Sequence, residues 1–372
     1  MKFAKKALLV LLMLSIIVVL PACGKKSESE STESTSVETK SEESMTSAAT
    51  LGEGYVDTSK YKKEGKYKIG ISGQGPMNDW CVSEAYHWQY ATEVAFKDKI
   101  EAVYYAHCDG DANKQVANVE NLLTKGIDCL ILQPFSEAIL VDSVEKAMNA
   151  GVPVVINNGG ILTDNYVSYV DRDNHAAGYI YADFIGERIG GKGDVLVIMG
   201  FPGSGYSEDV LRGVNDCLKE KYPNVNVVAV EYAKYSPAES KKIIETYIAK
   251  GSDIKGVIVD GGLMAYGVIE AYTDAKKTIP PLTADDWNGF VKKAMSVNFT
   301  DYIMISSGNE LAYDAVETAI KILEGKPVLK KNLLKPVAYT GDKVPEMVPP
   351  DMPDSYWVLN KIPKDLVKNY YK

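Results

Sequence analysis

From Tyr67 onward, short apolar runs alternate with amphipathic stretches along the chain. The runs YKIGIS, IEAVYYAH, CLILQP and VPVVIN are rich in apolar and β-branched residues, as buried strands are. Between them, apolar residues recur at helical spacing, for example over 82–96 and in SEAILVDSVEKAMNAG, and Gly126 and Gly151 stand where C-terminal helix caps belong. Repeated β-α-β units of this kind predict a parallel sheet with helices on both faces.

The same alternation begins again after the run YVSYVD. Its predicted strands are DVLVIMG, VNVVAVEYA, GVIVDG and PPLTADD, and its predicted helices are 175–189, 209–222, 238–250 and 264–274. Two consecutive sets of β-α units indicate two sheets and therefore two similar lobes. Because open parallel sheets bind ligands at the carboxyl ends of their strands, we expect one site between the lobes, built from residues that directly follow strands.

The N-terminus carries a secretory leader. Three lysines precede an apolar run over 7–20, which is shorter than the roughly 20 residues that a spanning helix needs, and Ala22 is a small residue suited to cleavage. The sequence LPAC resembles a bacterial lipobox, which implies removal of residues 1–22 and lipidation of Cys23. The alternative is an ordinary signal peptide that ends near a cysteine. The lipobox interpretation places the protein on the extracytoplasmic face of the cell membrane, at the outer surface of a bacterial cell.

The amino-acid composition before residue 60 differs from that of the rest of the chain and indicates a tether that precedes the folded body. Residues 24–54 are rich in Ser, Thr and Glu and contain no aromatic residue, so we expect a flexible segment over 23–60. The remaining chain is long enough for two domains. The net charge of −9 and the lack of a basic cluster after the leader argue against nucleic-acid binding.

Little in the sequence supports catalysis. The three histidines, His87, His107 and His175, give scant material for acid–base chemistry, and no nucleophile-elbow, zinc-protease or P-loop motif occurs. The stretch GFPGSGYS at 200–207 is read as a tight turn into a helix, with a phosphate contact as the alternative. The sequence therefore predicts a protein that is not an enzyme and needs no cofactor or metal.

The cysteines beyond Cys23 show neither CxxC nor metal-ligand spacing. They are Cys81, Cys108, Cys129 and Cys217. Cys129 lies in an apolar run and reads as a small buried side chain. A disulfide among the four is open for an exported protein, although their spacing does not demand one.

The motifs KIGIS…NDW, ANVENLLTKGIDCLILQP, AGVPVVINN, YVDRDNHAAG and LAYDAVETAIKILEGK together resemble the sugar-binding lipoproteins of bacterial ABC transporters. The likeness runs over 67–330 and is to the ribose-binding group, which shares the LacI-like effector fold. It implies the type 1 periplasmic-binding fold, an α/β architecture of two similar doubly wound parallel-sheet lobes joined by a three-segment hinge. The implied N-terminal lobe is 66–172 plus 307–333. The C-terminal lobe is 173–306 plus 334–372 and includes a C-terminal extension.

In the N-terminal lobe, the resemblance implies ligand contacts from residues that follow the first strands. Asn78 and Trp80 match the family's asparagine and aromatic positions, and their amide and indole suit hydroxyls and the C–H face of a sugar. Gln74 is a weaker candidate in the same loop. Asn158 and Asp173 match further contacts. The alternatives are a core role for Trp80, a turn at Asn158 and a helix cap at Asp173.

In the C-terminal lobe, the matching positions are Tyr235, Asp286, Trp287 and Ser306. Asp286 is expected to accept hydrogen bonds from two adjacent hydroxyls, with a helix cap as the alternative. The family's Asp-Arg pair reads Asn158-Gly159 here, so its bidentate arginine is missing. Gly261 and Gly262 stand where the family has Asn-Asp, so a ligand-contacting amide is absent. These departures favour a neutral sugar, polyol or nucleoside over ribose or an anion.

The resemblance implies solute capture by hinge closure and delivery to ABC permease subunits, performed by a monomer. One alternative is a ligand-sensing lipoprotein that presents its closed form to a membrane sensor kinase or chemoreceptor. A LacI-type repressor has the same fold, but the export leader occupies the place of a DNA-binding headpiece. Residues 337–372 exceed the family pattern and are expected to wrap a lobe through Tyr356 and Trp357.

Overall fold

Two six-stranded sheets form the body of the protein in the computed structural model, which describes residues 52–347 and 351–371. The strands are β1 (Tyr55–Val56), β2 (Tyr67–Gly73), β3 (Ile100–His107), β4 (Cys129–Leu132), β5 (Val154–Asn157), β6 (Ser168–Arg172), β7 (Lys192–Met199), β8 (Asn224–Tyr232), β9 (Ile254–Val259), β10 (Leu282–Asp285), β11 (Tyr302–Ile305), β12 (Val328–Leu329), β13 (Lys331–Leu334) and β14 (Ala338–Thr340). The α-helices are α1 (Asp79–Tyr90), α2 (Ala112–Thr124), α3 (Val141–Asn149), α4 (Asn174–Arg188), α5 (Gly205–Lys221), α6 (Pro237–Ala249), α7 (Gly262–Asp274), α8 (Asn288–Ser296) and α9 (Leu311–Leu323).

Each sheet belongs to one lobe. The N-terminal sheet has the order β13-β6-β5-β4-β2-β3 and is parallel throughout. The C-terminal sheet has the order β14-β11-β10-β9-β7-β8 and is parallel except for β14, which pairs antiparallel with β11. Strands β4 and β5 are buried over their whole length, and β9 is buried over its last four residues, because helices cover both faces of each sheet. The predicted pair of doubly wound α/β lobes is confirmed.

Several helices begin at other residues than the periodicity predicts. Helix α1 begins before residue 82 because the Asn78 side chain caps it, accepting a hydrogen bond from the Cys81 amide at 3.0 Å. It continues as a π-helical turn over Ala91–Ala95. Helix α3 begins at Val141 rather than near 136, because the chain before it forms turns. Helix α5 begins before residue 209.

Helices α4 and α5 cross closely at two glycines. A Cβ atom at Gly178 would lie 1.9 Å from the Val210 carbonyl oxygen, and one at Gly213 would lie 1.9 Å from the His175 carbonyl oxygen. Only glycine lets the two backbones approach this far. The close crossing buries Val210 completely and fixes the position of the N-terminus of α5, where Gly205 lies close to Glu137 of the other lobe.

The chain passes between the two sheets three times. It leaves the N-terminal sheet after β6 and enters α4, returns between β11 and α9, and leaves again between β13 and β14. These passages are named here the first, second and third crossings. They lie side by side because β13 neighbours β6 in one sheet and β14 neighbours β11 in the other. The arrangement is the three-segment hinge expected from the sequence.

Part of the expected tether is structured. Strand β1 pairs antiparallel with β12, and Thr58 is fully buried with its hydroxyl donating to the Lys326 carbonyl oxygen at 2.6 Å. The prediction of a flexible segment up to residue 60 is therefore wrong at its C-terminal end, because residues 55–60 pack on the N-terminal lobe. The predicted leader, Cys23 and the tether up to residue 51 lie outside the described residues.

Residues 351–371, called the strap below, follow the last strand, and their regular secondary structure is limited to one 3-10 turn over Val367–Asn369 and an isolated β-bridge at Trp357. Their apolar side chains join the core cluster of the C-terminal lobe; these are Met352, Tyr356, Trp357, Val358, Ile362, Val367 and Tyr371. Trp357 is fully buried. The strap is thus part of the folded body.

Cys81, Cys108, Cys129 and Cys217 are all buried and free, so no disulfide joins them in the structure. No helix in the described ranges is long and apolar enough to cross a membrane. Within the same ranges, the His, Cys, Asp and Glu side chains form no cluster of three or more suited to hold a metal ion.

Candidate functional site

The carboxyl ends of both sheets face each other across the crossings, and polar residues follow several of these strand ends. Of the predicted residues after β2, Asn78 caps α1, and the Trp80 indole N–H donates to the Ser307 carbonyl oxygen at 3.3 Å. Gln74 is half-buried, and its backbone N–H donates to Gln133 Oε1 at 3.0 Å. Trp80 therefore contacts the second crossing.

Asn158 lies at the end of β5 in a left-handed conformation with φ of 49°. It is buried, and its Nδ2 donates to Glu84 Oε1 at 2.9 Å and to the Gly308 carbonyl oxygen at 3.3 Å. Asp173 caps α4, where its Oδ1 accepts from the Ala176 amide at 2.9 Å. Asp173 is therefore a helix cap, which is the alternative to a ligand contact given in the sequence analysis.

Asp286 is fully buried, and backbone amides occupy both of its carboxylate oxygens. Oδ1 accepts from the Ser307 amide at 2.7 Å, and Oδ2 accepts from the Leu359 amide of the strap at 2.8 Å. The neighbouring Trp287 donates its indole N–H to Asp79 Oδ2 at 3.1 Å, which links the two lobes. Ser306 lies in the second crossing, where its Oγ accepts from the Val337 amide at 3.4 Å. Asp286 therefore joins the second crossing to the strap.

Tyr235, predicted as a ligand contact, lies beside a carboxyl group that sequence reasoning missed. Asp260, at the end of β9, is fully buried; its Oδ2 accepts from the Ser207 hydroxyl at 2.8 Å and from the Gly200 amide at 3.2 Å. Its Oδ1 has no hydrogen-bond partner. Burial raises the pKa of Asp260 to about 7. Tyr206 completes the group by donating its hydroxyl to the Asp260 carbonyl oxygen at 2.8 Å.

Arg172, at the end of β6, is a second residue that sequence reasoning missed. It is 3% exposed, its Nε donates to Asn174 Oδ1 at 3.1 Å and its Nη1 donates to the Ser306 carbonyl oxygen. The guanidinium stacks on Tyr206 at 5.2 Å from the ring centroid. Its Nη2 has no hydrogen-bond partner. Desolvation lowers the pKa of the guanidinium, but the nearby Tyr206, Tyr181 and Asp171 outweigh it and raise that pKa. The arginine missing after Asn158 thus has a counterpart on the adjacent strand.

Six buried carboxyl groups have pKa values that desolvation raises; they are Glu84, Asp171, Asp260, Asp285, Asp286 and Glu310. The charge of Arg172 opposes this rise at Asp171, Asp260, Asp285 and Glu310. A carboxyl group with a raised pKa donates a hydrogen bond when protonated and accepts when ionised. Together with the aromatic faces of Trp80, Tyr206 and Tyr235, this set suits a solute rich in hydroxyls, because each hydroxyl both donates and accepts.

The strap contacts both lobes beside this cluster. Toward the N-terminal lobe, Asn360 Oδ1 lies 3.0 Å from His87 Nε2, and the Trp357 indole donates to the Asp79 carbonyl oxygen at 3.3 Å. Toward the C-terminal lobe, the Val358 amide donates to the Asp286 carbonyl oxygen at 3.0 Å. The sequence placed the extension on one lobe only. The structure shows it bridging the two.

His87, which contacts Asn360 of the strap, is expected to make the stability of the fold depend on pH. Burial lowers its pKa to about 4, below the usual value of 6.5, so the folded state favours the neutral ring. The free energy of unfolding is therefore expected to decrease as the pH falls from 6.5 toward 4, by up to about 3 kcal/mol from this residue. Urea unfolding at pH 7.5 and pH 4.5 measures the effect, and His87→Gln should remove it.

The informative quantity is the difference between the wild-type protein and His87→Gln, because buried carboxyl groups with raised pKa values act in the opposite direction over the same pH range. His175→Gln is the matched control, since His175 is partly exposed and pairs with Asp216 at 2.8 Å. Equal pH dependence in wild type and His87→Gln would show that His87 does not sense pH.

Two lobes with facing strand ends, three crossings and a buried polar cluster between them define a hinged solute-binding protein. Residues 69–327 match the family model described as periplasmic binding protein domain, and the chain belongs to this family. The predicted resemblance is thereby confirmed.

Curated proteins of similar sequence are named as binding proteins of small solutes. The chain is 25% identical over 250 residues to a xylitol-binding protein of Mycolicibacterium smegmatis, covering 66% of this chain and 70% of that protein. It is 26% identical over 269 residues to a ribose import binding protein of Bacillus subtilis, covering 72% and 85% respectively.

Solved structures share the fold. An ABC transporter solute-binding protein of Bacillus halodurans with bound myo-inositol superposes with a TM-score of 0.69 at 19% identity, covering 76% of this chain and 98% of that chain. One of Mycobacterium smegmatis with bound glycerol gives a TM-score of 0.68 at 21% identity, with coverage of 77% and 98%.

Proposed function

We propose that the protein captures a small neutral sugar or polyol between its lobes and delivers it to an ABC permease without chemical change. The observation that carries the proposal is the fully buried Asp260, whose Oδ1 has no partner and lies in a group with Tyr206 and Tyr235. A buried carboxyl oxygen without a partner is costly, and a solute hydroxyl would satisfy it.

Closure of the lobes gives the mechanism. A solute that contacts Asp260 in one lobe and Asn158 or Trp80 in the other would favour the closed arrangement by its differential affinity for the two states. The lobes would be 66–172 plus 307–333 and 173–306 plus 334–372. The relatives named for import of ribose and apiose support delivery to a permease over presentation to a sensor.

The predicted leader indicates where in the cell the protein would act. Lipidation at Cys23 would hold the protein at the extracytoplasmic face of the cell membrane, and the Ser-, Thr- and Glu-rich segment would let the body reach permease subunits. The protein would act as a monomer, since each copy holds both halves of the cleft. Capture near the membrane keeps the solute within reach of the transporter.

Isothermal titration with a solute panel tests the function. The panel contains ribose, xylose, allose, glucose, xylitol, myo-inositol and adenosine, with leucine and glutamate as controls. We expect micromolar binding confined to one or a few of the sugars and polyols. Binding of an amino acid, with no heat from any sugar or polyol, would overturn the proposal.

A further inference from the structure

The strap belongs to the C-terminal lobe through its backbone and its apolar side chains. The Asn288 amide donates to the Tyr356 carbonyl oxygen at 2.9 Å, and the Val358 amide donates to the Asp286 carbonyl oxygen at 3.0 Å. Ile362, farther along the strap, is 3% exposed in the core cluster of the same lobe. We therefore expect the strap to move with the C-terminal lobe whenever the two lobes move.

The strap also contacts the N-terminal lobe, through polar side chains of α1 and α9. In addition to the His87 contact described above, the hydroxyls of Tyr371 and Ser83 share a hydrogen bond. Lys361 forms an ion pair with Asp314 of α9. Ser83 and His87 are both 0% exposed, so these polar groups of α1 are buried beneath the strap. Opening of the lobes would expose them to water.

Contacts of this kind can separate and form again. A hydrogen bond or an exposed ion pair contributes little net stability, because water replaces the partner when the two groups part. A large apolar interface would instead hold the lobes together permanently. Tyr86 of α1 adds aromatic contacts, with its ring centroid 5.7 Å from that of Tyr370 and 5.1 Å from that of Tyr371. The strap is thus joined firmly to one lobe and by several weak contacts to the other.

We propose that the strap acts as a clasp, which separates from α1 and α9 when the lobes open and docks again when they close. The proposal rests on lobe closure, the mechanism proposed above for solute capture. Because the contacts of the strap with α1 and α9 do not involve the solute, they increase the closed fraction of the solute-free protein. A larger closed fraction raises the apparent affinity for every solute by the same factor.

Single-molecule energy transfer on the solute-free protein tests the clasp. Dyes on Lys97→Cys and Lys219→Cys report the distance between the lobes, because both lysines are exposed and each belongs to a different lobe. A Cys23→Ser background confines labelling to these two positions, since the four cysteines of the folded body are buried. The measured quantity is the ratio of closed to open molecules.

Two double variants separate the clasp from a general effect on the strap. Lys361→Gln/Tyr371→Phe should lower the ratio of closed to open molecules about tenfold, because it removes an ion pair and a hydrogen bond between the strap and the N-terminal lobe. The matched control is Lys292→Gln/Tyr247→Phe, which removes an ion pair to the strap and a tyrosine hydrogen bond within the C-terminal lobe. The control should change the ratio less than about twofold.

An unchanged ratio in Lys361→Gln/Tyr371→Phe, or an equal fall in the control, would overturn the clasp. So would a single population in all three proteins, since the strap would then join the lobes permanently or not at all. Circular dichroism checks the folds. If the first double variant does not fold, Lys361→Gln alone, expected to lower the ratio about threefold, is compared with Lys292→Gln. No solute is used, so a failed solute panel leaves this result standing, and an unchanged ratio leaves solute capture standing.

Discussion

Trp357→Ala is expected to lower the free energy of unfolding by about 3–5 kcal/mol, the usual cost of removing a fully buried tryptophan. The residue is 0% exposed, packs in the core cluster of the C-terminal lobe and pairs with Trp287 in an isolated β-bridge. Its indole also donates to the Asp79 carbonyl oxygen of the other lobe. Urea unfolding followed by circular dichroism measures the loss without depending on tryptophan fluorescence.

The control for this prediction is an aromatic residue on the surface. Tyr55 is 46% exposed, and Tyr55→Ala should change the free energy of unfolding by less than about 1 kcal/mol. If Trp357→Ala costs no more than Tyr55→Ala, the strap does not dock as described. A large loss for Trp357 alone shows that the extension is an integral part of the fold.

Much of the fold follows from the sequence because buried parallel strands are short continuous apolar runs. CLILQP and VPVVIN contain β4 and β5, and both predicted sheets are present. The first residues of the helices were harder to predict, because they depend on single side-chain caps such as Asn78 at α1.

The strap could not be predicted from periodicity. PPDMPDSYW has no helical or strand spacing, and its position depends on long-range contacts such as that of the Leu359 amide with Asp286 Oδ2. Its apolar and aromatic residues indicate burial but not the surface that buries them. The partner surface, made by both lobes, exists only after the lobes have folded.

The sequence predicts that the site lies at the ends of strands. It does not show which buried polar atoms there lack a hydrogen-bond partner. The likeness to sugar-binding proteins placed a missing guanidinium after β5, whereas the fold supplies Arg172 from β6, its neighbour in the sheet. Which residues of adjacent strands lie together depends on sheet order and register, which one sequence does not give. Arg172 directly follows the run YVSYVD, and Asp260 is the penultimate residue of the predicted strand GVIVDG; these positions were the available signal.

Asp260 and Asp286 offer the sharpest test of the site. Both oxygens of Asp286 accept hydrogen bonds from the protein, whereas Oδ1 of Asp260 has no partner. Asp260→Ala is expected to weaken the tightest-binding solute of the panel about 30–100-fold, the effect of losing a hydrogen bond to a charged group. Asp260→Ala also costs stability, because the Gly200 amide and the Ser207 hydroxyl lose their acceptor. Asp286→Ala should lower the free energy of unfolding by about 2–5 kcal/mol with little effect on affinity, since the Ser307 and Leu359 amides occupy both of its oxygens.

Titration calorimetry and urea unfolding on both variants separate the two roles. A large affinity loss in Asp286→Ala at unchanged stability, with near-normal affinity in Asp260→Ala, would return the solute contact to Asp286, as the family likeness implies. The opposite pattern would mean that this chain uses the carboxyl group at the end of β9 for the solute. The group after β10 would then hold the second crossing and the strap together.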